Sequence, residues 1–478
     1  MTSDSRVGTA RRAAHRSGAS AKASPPILAS LEKLLPADEI SFDKAEREKR
    51  AGDKWFATRV PDAVALPRTC ESVSRLLRFC SDRGIAVTPR GAGFGYVGGC
   101  VPINGGVSLS LERMNRILEI SAADFVAVAQ AGVVLKTLHD AAEKRGLLYP
   151  PDPASRADCS VGGTIATNAG GPRCLKYGVT RDYVLGLKVV LADGSIVSVG
   201  GRTHKNKTGF DLTRLFVGSE GLLGVVTEAT LKLLPLPPFR ALLVAGFDSM
   251  RQAARAMSAI FARGILPSAL EVADQFTLEA AARRTGSRKL AGSRALIMVE
   301  VDGQEKSVRG EARDLDKLLA GQKTVFVQKA VGNEKCEALW GLRREFSYSL
   351  RDTGLIKLNE DIVVPRGRLE DLFRFTAALQ KKYGMPVACF GHAGDGNIHV
   401  NVMYDKNWPE VERRTTAALD ELFSQVLAWN GVITGEHGIG LAKKRWWPHA
   451  VSQEVRQMHA NIKRALDPKG ILNPGKFV

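Results

Sequence analysis

The sequence has few cysteines, and their spacing fits neither a metal ribbon nor a disulfide framework. There are seven in 478 residues, and none forms a Cys-x-x-Cys pair. An odd and widely spaced set argues against a disulfide scaffold, a zinc ribbon and an iron–sulfur cluster. Free thiols are typical of a reducing compartment, so we expect a cytoplasmic protein.

Long apolar runs are absent as well. No stretch approaches the roughly 20 apolar residues that a membrane-spanning helix needs, and the beginning of the chain lacks the apolar core of a secretory signal. Residues 1–26 are rich in Ala, Ser, Gly and Arg, so we expect a disordered tail there. The same composition also resembles that of a transit peptide.

Acidic residues are the minority among the charged ones, with 50 Asp and Glu against 68 Lys and Arg and a net charge of +18. Such an excess of basic residues suggests that the protein binds nucleic acid or an acidic membrane. However, no basic helix, zinc-finger spacing or aromatic-interleaved motif accompanies it, so we expect no nucleic-acid partner. An anionic small substrate or an acidic docking partner fits the charge as well.

The length predicts two to four domains at roughly 100–200 residues each. Pro235-Leu-Pro-Pro238 marks the boundary that we expect. The sequence therefore predicts a first domain over residues 27–238 and a second over residues 239–478. In the second domain, the order strand, helix, strand, strand, helix, strand predicts a ferredoxin-like antiparallel sheet under helices, followed by C-terminal helices, so the fold class is α+β.

Two loops of small residues lie beside strand patterns in the first domain, at residues 90–99 and 159–171. Glycine lets backbone N–H groups approach a pyrophosphate closely. One such loop is weak evidence, because tight turns explain it equally often. Two of them favour a long ligand held between two subdomains.

The second domain contains Gly391-His-Ala-Gly-Asp-Gly-Asn-Ile-His-Val-Asn401. Asp395-Gly396 is a preferred two-residue hairpin turn, and such a turn sets His392 directly opposite His399. Opposed Cβ atoms lie about 4.5–5.5 Å apart, which lets two imidazoles share one divalent metal. Asn401 then lies on the same face as His399.

A second loop, at residues 434–440, supplies Glu436 and His437 between glycines. One carboxylate and two imidazoles suit Zn²⁺ first, and Mn²⁺ or Fe²⁺ as alternatives. The competing interpretation is that these residues only complete hydrogen bonds in turns, which is the commoner role of a single histidine. Taken together they favour a metal site. A Lewis acid there lowers the pKa of a substrate hydroxyl group, and a nearby imidazole can accept its proton.

The first domain resembles a known family. Arg90-Gly-Ala-Gly-Phe-Gly95, Pro151-Asp-Pro153, Ser160-Val-Gly-Gly-Thr164, Asn168-Ala-Gly-Gly171 and Ser219-Glu-Gly-Leu-Leu-Gly-Val-Val226 are similar, in this order, to the FAD-binding domain of the vanillyl-alcohol oxidase/p-cresol methylhydroxylase flavoproteins. The resemblance implies two α/β subdomains that enclose FAD. Because the first loop contains no histidine for covalent attachment, it also implies non-covalent FAD.

The same resemblance implies which residues contact FAD, including Asn473 in the terminal segment. They are Pro89, Arg90, Gly91, Ala92, Gly93, Phe94, Gly95, Tyr96, Pro151, Ser160, Gly162, Gly163, Thr164, Asn168, Gly221, Gly224, Val225, Val226 and Asn473.

The second domain resembles the FAD-linked D-2-hydroxyacid dehydrogenases of this family, the group that acts on D-lactate, glycolate and D-2-hydroxyglutarate. Their His-x-Gly-Asp-Gly-Asn-x-His and Glu-His-Gly elements are both present. The resemblance implies that His392, His399 and Glu436 hold the metal and that His437 is the catalytic base.

The substrate contacts are also inferred from the resemblance. Arg343 matches the family's Trp-x-x-Arg element and would clamp a carboxylate, although a solvated helix charge is the alternative. Lys357 is either a second anion contact or a surface lysine on a strand. Asn401 is expected to hydrogen-bond the substrate.

The activity implied is oxidation of a small D-2-hydroxy acid, D-lactate or glycolate first, to the 2-oxo acid by hydride transfer to flavin. D-2-hydroxyglutarate as substrate, an oxygen-using flavin alcohol oxidase and a non-catalytic FAD-fold binding protein are the alternatives. Electrons would leave to a separate cytochrome, quinone, electron-transfer flavoprotein or iron–sulfur subunit. Peripheral association with the inner membrane and a homodimer are left open.

Overall fold

The computed structural model describes residues 30–478, so the predicted tail lies outside the described residues. Helices and strands are mixed over this part of the chain, as the α+β prediction requires. None of the helices in residues 30–478 is long and apolar enough to cross a membrane.

The first half of the chain forms two main sheets with helices packed on them. Its strands are β1 (Ile40–Ser41), β2 (Ala63–Ala65), β3 (Val87–Arg90), β4 (Val107–Ser110), β5 (Ile117–Ser121), β6 (Val126–Gln130), β7 (Leu147–Leu148), β8 (Val184–Val190), β9 (Ile196–Gly200), β10 (Val225–Lys232) and β11 (Leu234–Pro235). Its helices are α1 (Lys44–Glu48), α2 (Cys70–Arg83), α3 (Leu135–Glu143), α4 (Val161–Thr167), α5 (Cys174–Tyr177) and α6 (Leu212–Phe216).

The two sheets define two subdomains, each with its own apolar core. One sheet has the order β1-β2-β4-β3 and packs against α2, and the other is antiparallel with the order β5-β6-β10-β8-β9. Helix α2 begins at a cap, because Thr69 Oγ1 accepts the N–H of Ser72, and ends at Gly84, whose φ of +64° lies in the left-handed region.

Residues Val161–Thr167 of the second glycine-rich segment form a helix rather than the loop that we predicted. Ser160 caps α4 by accepting the N–H of Gly163 at 3.2 Å. The small residues serve packing, because a Cβ at Gly162 would lie 2.7 Å from the Cβ of Ala131. The glycines therefore let this helix lie directly against β6 and the turn that follows it.

The second half of the chain is built on one seven-stranded antiparallel sheet. Its strands are β12 (Phe239–Phe247), β13 (Ala269–Asp274), β14 (Ala295–Gly303), β15 (Phe326–Val331), β16 (Ile356–Val363), β17 (Val387–His392) and β18 (Asn397–Tyr404). Its helices are α7 (Met250–Ala262), α8 (Gln275–Thr285), α9 (Arg288–Ala291), α10 (Glu305–Ala320), α11 (Asn333–Arg351), α12 (Leu369–Tyr383), α13 (Val411–Ala428), α14 (Trp447–Ala450) and α15 (Gln453–Leu466).

The strand order β15-β12-β14-β13-β17-β18-β16 contains the predicted ferredoxin-like unit in its first four strands. The predicted element order was incomplete, since α8 and α9 lie between β13 and β14. Helices α7, α10, α12 and α13 cover one face of the sheet. Helices α8 and α11 cover the other face, where the polar residues described below are found.

The C-terminal segment returns to the first half of the chain. Leu472 forms a parallel bridge with Val87, and Ile471 and Leu472 are buried in the core of the first subdomain. Asn473 donates its side-chain N–H to the carbonyl oxygens of Gly99 and Glu220. The C-terminal segment therefore joins the second half of the molecule to the first, at the first glycine-rich loop.

Candidate active site

Strand pairing collects polar side chains on one face of the seven-stranded sheet. Glu271 on β13 pairs with His392 on β17, and His399 on β18 pairs with Asp361 on β16. Directly opposed residues of an antiparallel pair share a face, and so do residues two apart on one strand. The same face carries Asn401, because it lies two residues beyond His399.

The predicted register of the histidine hairpin was wrong. His392 pairs with Asn397 and His399 with Phe390, so the two histidines are diagonal neighbours and not directly opposed. The cause is a four-residue loop, residues 393–396, closed by a hydrogen bond from the N–H of Gly396 to the His392 carbonyl oxygen at 3.1 Å. The ring centroids are still 5.5 Å apart, because diagonal neighbours on one face remain within reach.

Glu436 completes a buried group of possible metal ligands. Its Oε1 lies 3.6 Å from His399 Nε2 and 3.9 Å from His392 Nε2, and one ligand atom from each of the three residues lies within 4.8 Å of the others. Ligand atoms about 2.0–2.2 Å from a common ion would have comparable separations. Burial lowers the pKa of His399 to about 3, so its imidazole is neutral, as a metal ligand must be.

Glu271 is a residue of the site that the sequence did not reveal to us. Its carboxylate accepts from Arg343 Nε at 2.5 Å and lies 2.6 Å from His392 Nδ1. Burial alone would raise the pKa of Glu271, but His392 and Arg343 lower it to about 2. A carboxylate on Nδ1 orients the ring and leaves Nε2 for a ligand. The only signal was an acidic residue between the apolar residues Leu270 and Val272 of strand β13.

Asp361, a second residue that we missed, holds the loop of residues 434–440. Its Oδ2 accepts the backbone N–H groups of Gly435, Glu436 and His437 at 2.8, 2.8 and 2.9 Å. The ring of His437 is stacked on His399, with centroids 5.6 Å apart, and on Tyr96, with centroids 5.2 Å apart. His437 therefore lies between the polar cluster and the first glycine-rich loop.

The remaining predicted contacts lie beside the cluster. The guanidinium carbon of Arg343 is 4.8 Å from the centroid of the Phe390 ring. Lys357 Nζ donates to Ser347 Oγ at 2.9 Å, and burial, together with the charges of nearby arginines, lowers the pKa of Lys357 to about 8. The Oδ1 atom of Asn401 is buried without a hydrogen-bond partner among residues 30–478.

The segments that we assigned to FAD converge in the first half of the chain. A Cβ at Gly91 would lie 2.5 Å from Ser160 Oγ, and one at Gly221 would lie 3.2 Å from the Pro89 side chain. The members of this set lie as follows: Pro89 and Arg90 in β3; Gly91, Ala92, Gly93, Phe94, Gly95 and Tyr96 in the loop after it; Pro151 before α4; Ser160, Gly162, Gly163, Thr164 and Asn168 in α4 and its caps; Gly221 and Gly224 before β10; Val225 and Val226 in β10; and Asn473 near the C-terminus. At Gly91 this close packing leaves room for the backbone but not for a side chain.

Residues 61–200 match the family described as FAD binding domain, which defines the class as a flavin-dependent protein. The fold agrees, because the structure of p-cresol methylhydroxylase with substrate bound superposes with a TM-score of 0.76 over 95% of this chain and 96% of that chain, at 17% identity. Residues 236–477 match the family described as FAD linked oxidases, C-terminal domain. The chain belongs to the FAD-linked oxidase family and is an FAD-dependent oxidoreductase.

Curated relatives cover nearly the whole chain. The glycolate oxidase subunit GlcD of Bacillus subtilis (strain 168) is 40% identical over 87% of this chain and 89% of its own length. The D-lactate dehydrogenase of Archaeoglobus fulgidus is 36% identical over 94% of this chain and 97% of its own length.

Proposed function

We propose that the protein oxidises a small D-2-hydroxy acid, D-lactate or glycolate first, to the corresponding 2-oxo acid. One observation carries this proposal. The cluster of His392, His399 and Glu436 lies beside Arg343 and Lys357. His437 lies between that cluster and the first glycine-rich loop. The names of the relatives, glycolate oxidase subunit and D-lactate dehydrogenase, support the same substrate class.

The cationic side chains account for recognition of the acid. Glu271 uses only the Nε–H of Arg343, which leaves the terminal NH₂ groups for a substrate carboxylate. Lys357 supplies a second positive charge nearby, and the unpaired Oδ1 of Asn401 can accept a hydrogen bond from a hydroxyl group. The substrate is thereby fixed at both of its functional groups.

We propose that His437 is the base that removes the hydroxyl proton. Its Nδ1 is buried and makes no hydrogen bond with the described residues, while Asp361 fixes its backbone. Stacking between Tyr96 and His399 holds the plane of the ring. An oriented imidazole of this kind suits general base catalysis.

We further propose that His392, His399 and Glu436 hold a divalent metal, most simply Zn²⁺, and that FAD is bound without a covalent link. The donor set fits a cation, because one ligand atom from each of the three residues lies within 4.8 Å of the others, and Glu271, 2.6 Å from His392 Nδ1, orients that ring. When bound, the metal would supply Lewis acidity toward the substrate hydroxyl group, and FAD would supply the hydride acceptor.

Anaerobic mixing of the FAD-loaded protein with D-lactate, glycolate and D-2-hydroxyglutarate tests the proposal. We expect bleaching of the flavin absorbance near its long-wavelength maximum by at least one of these acids and not by the L enantiomer of lactate. If none of the three acids reduces the flavin, the proposed substrate class is wrong.

The charge of Lys357 is expected to set the alkaline limit of substrate capture. Because its pKa is about 8 in the buried site, the cation is lost above that pH, and kcat/KM should fall about tenfold per pH unit. In Lys357→Met, kcat/KM should be lower at pH 7 and this alkaline limb should disappear. An unchanged limb in the variant would assign the titration to another group.

Electrons then have to leave the flavin, and we propose a separate acceptor protein or quinone in the cytoplasmic compartment. We place the acceptor outside this chain because the seven cysteines of the chain are widely spaced and include no Cys-x-x-Cys pair, which argues against an iron–sulfur cluster of its own. The relative from Bacillus subtilis is named as a subunit, which supports a partner protein.

A further inference from the structure

The loop of residues 434–440 is held from both halves of the molecule. Asp361, in the seven-stranded sheet, binds the N–H groups at its beginning, as described above. At its other end Glu220, from the first half of the chain, accepts the N–H of Ile439 at 2.7 Å and that of Gly440 at 2.8 Å. Two buried carboxylates therefore fix the part of the chain that carries Glu436 and His437.

The loop of residues 434–440 packs closely against Glu220 and against the first glycine-rich loop. Gly438 has a φ of +89°, and a Cβ there would lie 2.7 Å from Glu220 Oε1. Gly440 has a φ of +49°, and a Cβ there would lie 2.3 Å from the carbonyl oxygen of Val97, which belongs to the first glycine-rich loop. A displacement of the Glu220 carboxylate must therefore displace the loop, or break its hydrogen bonds.

Glu220 itself is fixed by segments that we assign to FAD. Its N–H donates to the carbonyl oxygen of Ala166 in α4 at 2.8 Å, and its carbonyl oxygen accepts from Asn473 Nδ2 at 2.7 Å. Its φ of +50° is unusual for a residue with a side chain and is maintained by these contacts. The next residue, Gly221, packs on Pro89.

We infer that Glu220 is a positioning residue that couples the FAD-contacting segments to Glu436 and His437, so that FAD and the divalent metal bind cooperatively. The inference rests on the proposed function for the metal ligands. Bound FAD would hold the segments around Glu220 in place, and Glu220, through Ile439 and Gly440, would fix the loop that carries Glu436. Linkage requires the reverse effect to be equal, so the metal tightens FAD binding by the same factor.

The coupling is measured with the full-length FAD-loaded protein, either zinc-loaded or treated with a chelator. We expect chelation to raise the FAD dissociation constant about tenfold, within the usual range of coupling between two sites. Release of fluorescent flavin on dilution gives the constant. In Glu220→Gln the ratio of the FAD dissociation constants without and with zinc should fall to about one. Ile439 and Gly440 donate to different oxygens of Glu220, and glutamine replaces one of those oxygens by an NH₂ group that cannot accept an N–H.

Glu228→Gln is the matched control. Glu228 lies in β10 and pairs with Lys188 at 3.3 Å, so this substitution should keep the tenfold ratio. Gly438→Ala, whose added Cβ would displace the Glu220 carboxylate, should abolish the ratio like Glu220→Gln and serves if that variant does not fold. A merely structural role would lower the melting temperature of Glu220→Gln without changing the ratio.

Three results overturn the inference. A ratio of one in the unmodified protein rules out the coupling, and a tenfold ratio in Glu220→Gln rules out Glu220 as the residue that carries it; in both cases zinc binding and flavin reduction by a hydroxy acid remain intact. Failure of zinc to bind to His392, His399 and Glu436 overturns the coupling together with the proposed metal site. The first two results leave the proposed function standing, so the two failures are distinguishable.

Discussion

Replacement of His437 by asparagine should leave FAD bound and slow the reduction of the flavin by the hydroxy acid about 10³-fold. A positioned general base contributes roughly 10²–10⁴-fold to such a proton transfer. Asparagine keeps a planar polar side chain between Tyr96 and His399 but cannot accept a proton near neutral pH. The backbone N–H that binds Asp361 is unchanged, so the loop should keep its place.

Stopped-flow absorbance under anaerobic conditions measures this rate directly, because flavin bleaching reports the chemical step and not the later transfer to an acceptor. The control is His459→Asn, which changes an exposed histidine of α15 whose ring contacts Trp447. That variant should reduce its flavin at the normal rate. Equal rates in the two variants would show that another group takes the proton.

The fold was predictable where local patterns are strong. The four strands of the ferredoxin-like unit were found, and so were the C-terminal helices expected after it, among them Asn333–Arg351 and Leu369–Tyr383. Helices α8 and α9 were missed, and so was the extension of the same sheet by β16, β17 and β18. Which strands join one sheet depends on pairing between distant segments, and periodicity along the chain does not encode that pairing.

The site was predictable to the extent that its residues are close in sequence. The spacing of His392 and His399 indicated a hairpin that brings two imidazoles together, and the structure brings them together despite a different turn. Glu271 lies 121 residues before His392, and its contact with Nδ1 depends on the pairing of β13 with β17. No local pattern contains that information. Asp361 and Glu220 were missed for the same reason.

Removal of the divalent metal is expected to stop flavin reduction by the substrate while leaving the flavin reducible by dithionite. Polarisation of a substrate oxygen by a metal is worth several kcal/mol, so a loss of about 4 kcal/mol corresponds to a rate lower by about 10³-fold. The measurement is anaerobic flavin bleaching before and after dialysis against a chelator, with metal content determined on the same samples. Restoration of the rate by added Zn²⁺, Mn²⁺ or Fe²⁺ would identify the ion.

The matched variant for this experiment is Glu436→Gln, which keeps the size of the side chain but removes the charge that lies 3.6 Å from His399 Nε2. Groups that act as one unit are not additive, so a chelator should have no further effect on this variant. Its low rate should equal that of the chelated unmodified protein. If chelation removes the metal and the rate is unchanged, then the cluster is not part of the reaction, and His437 with Arg343 would have to account for catalysis alone. The comparison thus separates a catalytic ion from one that only holds the loop.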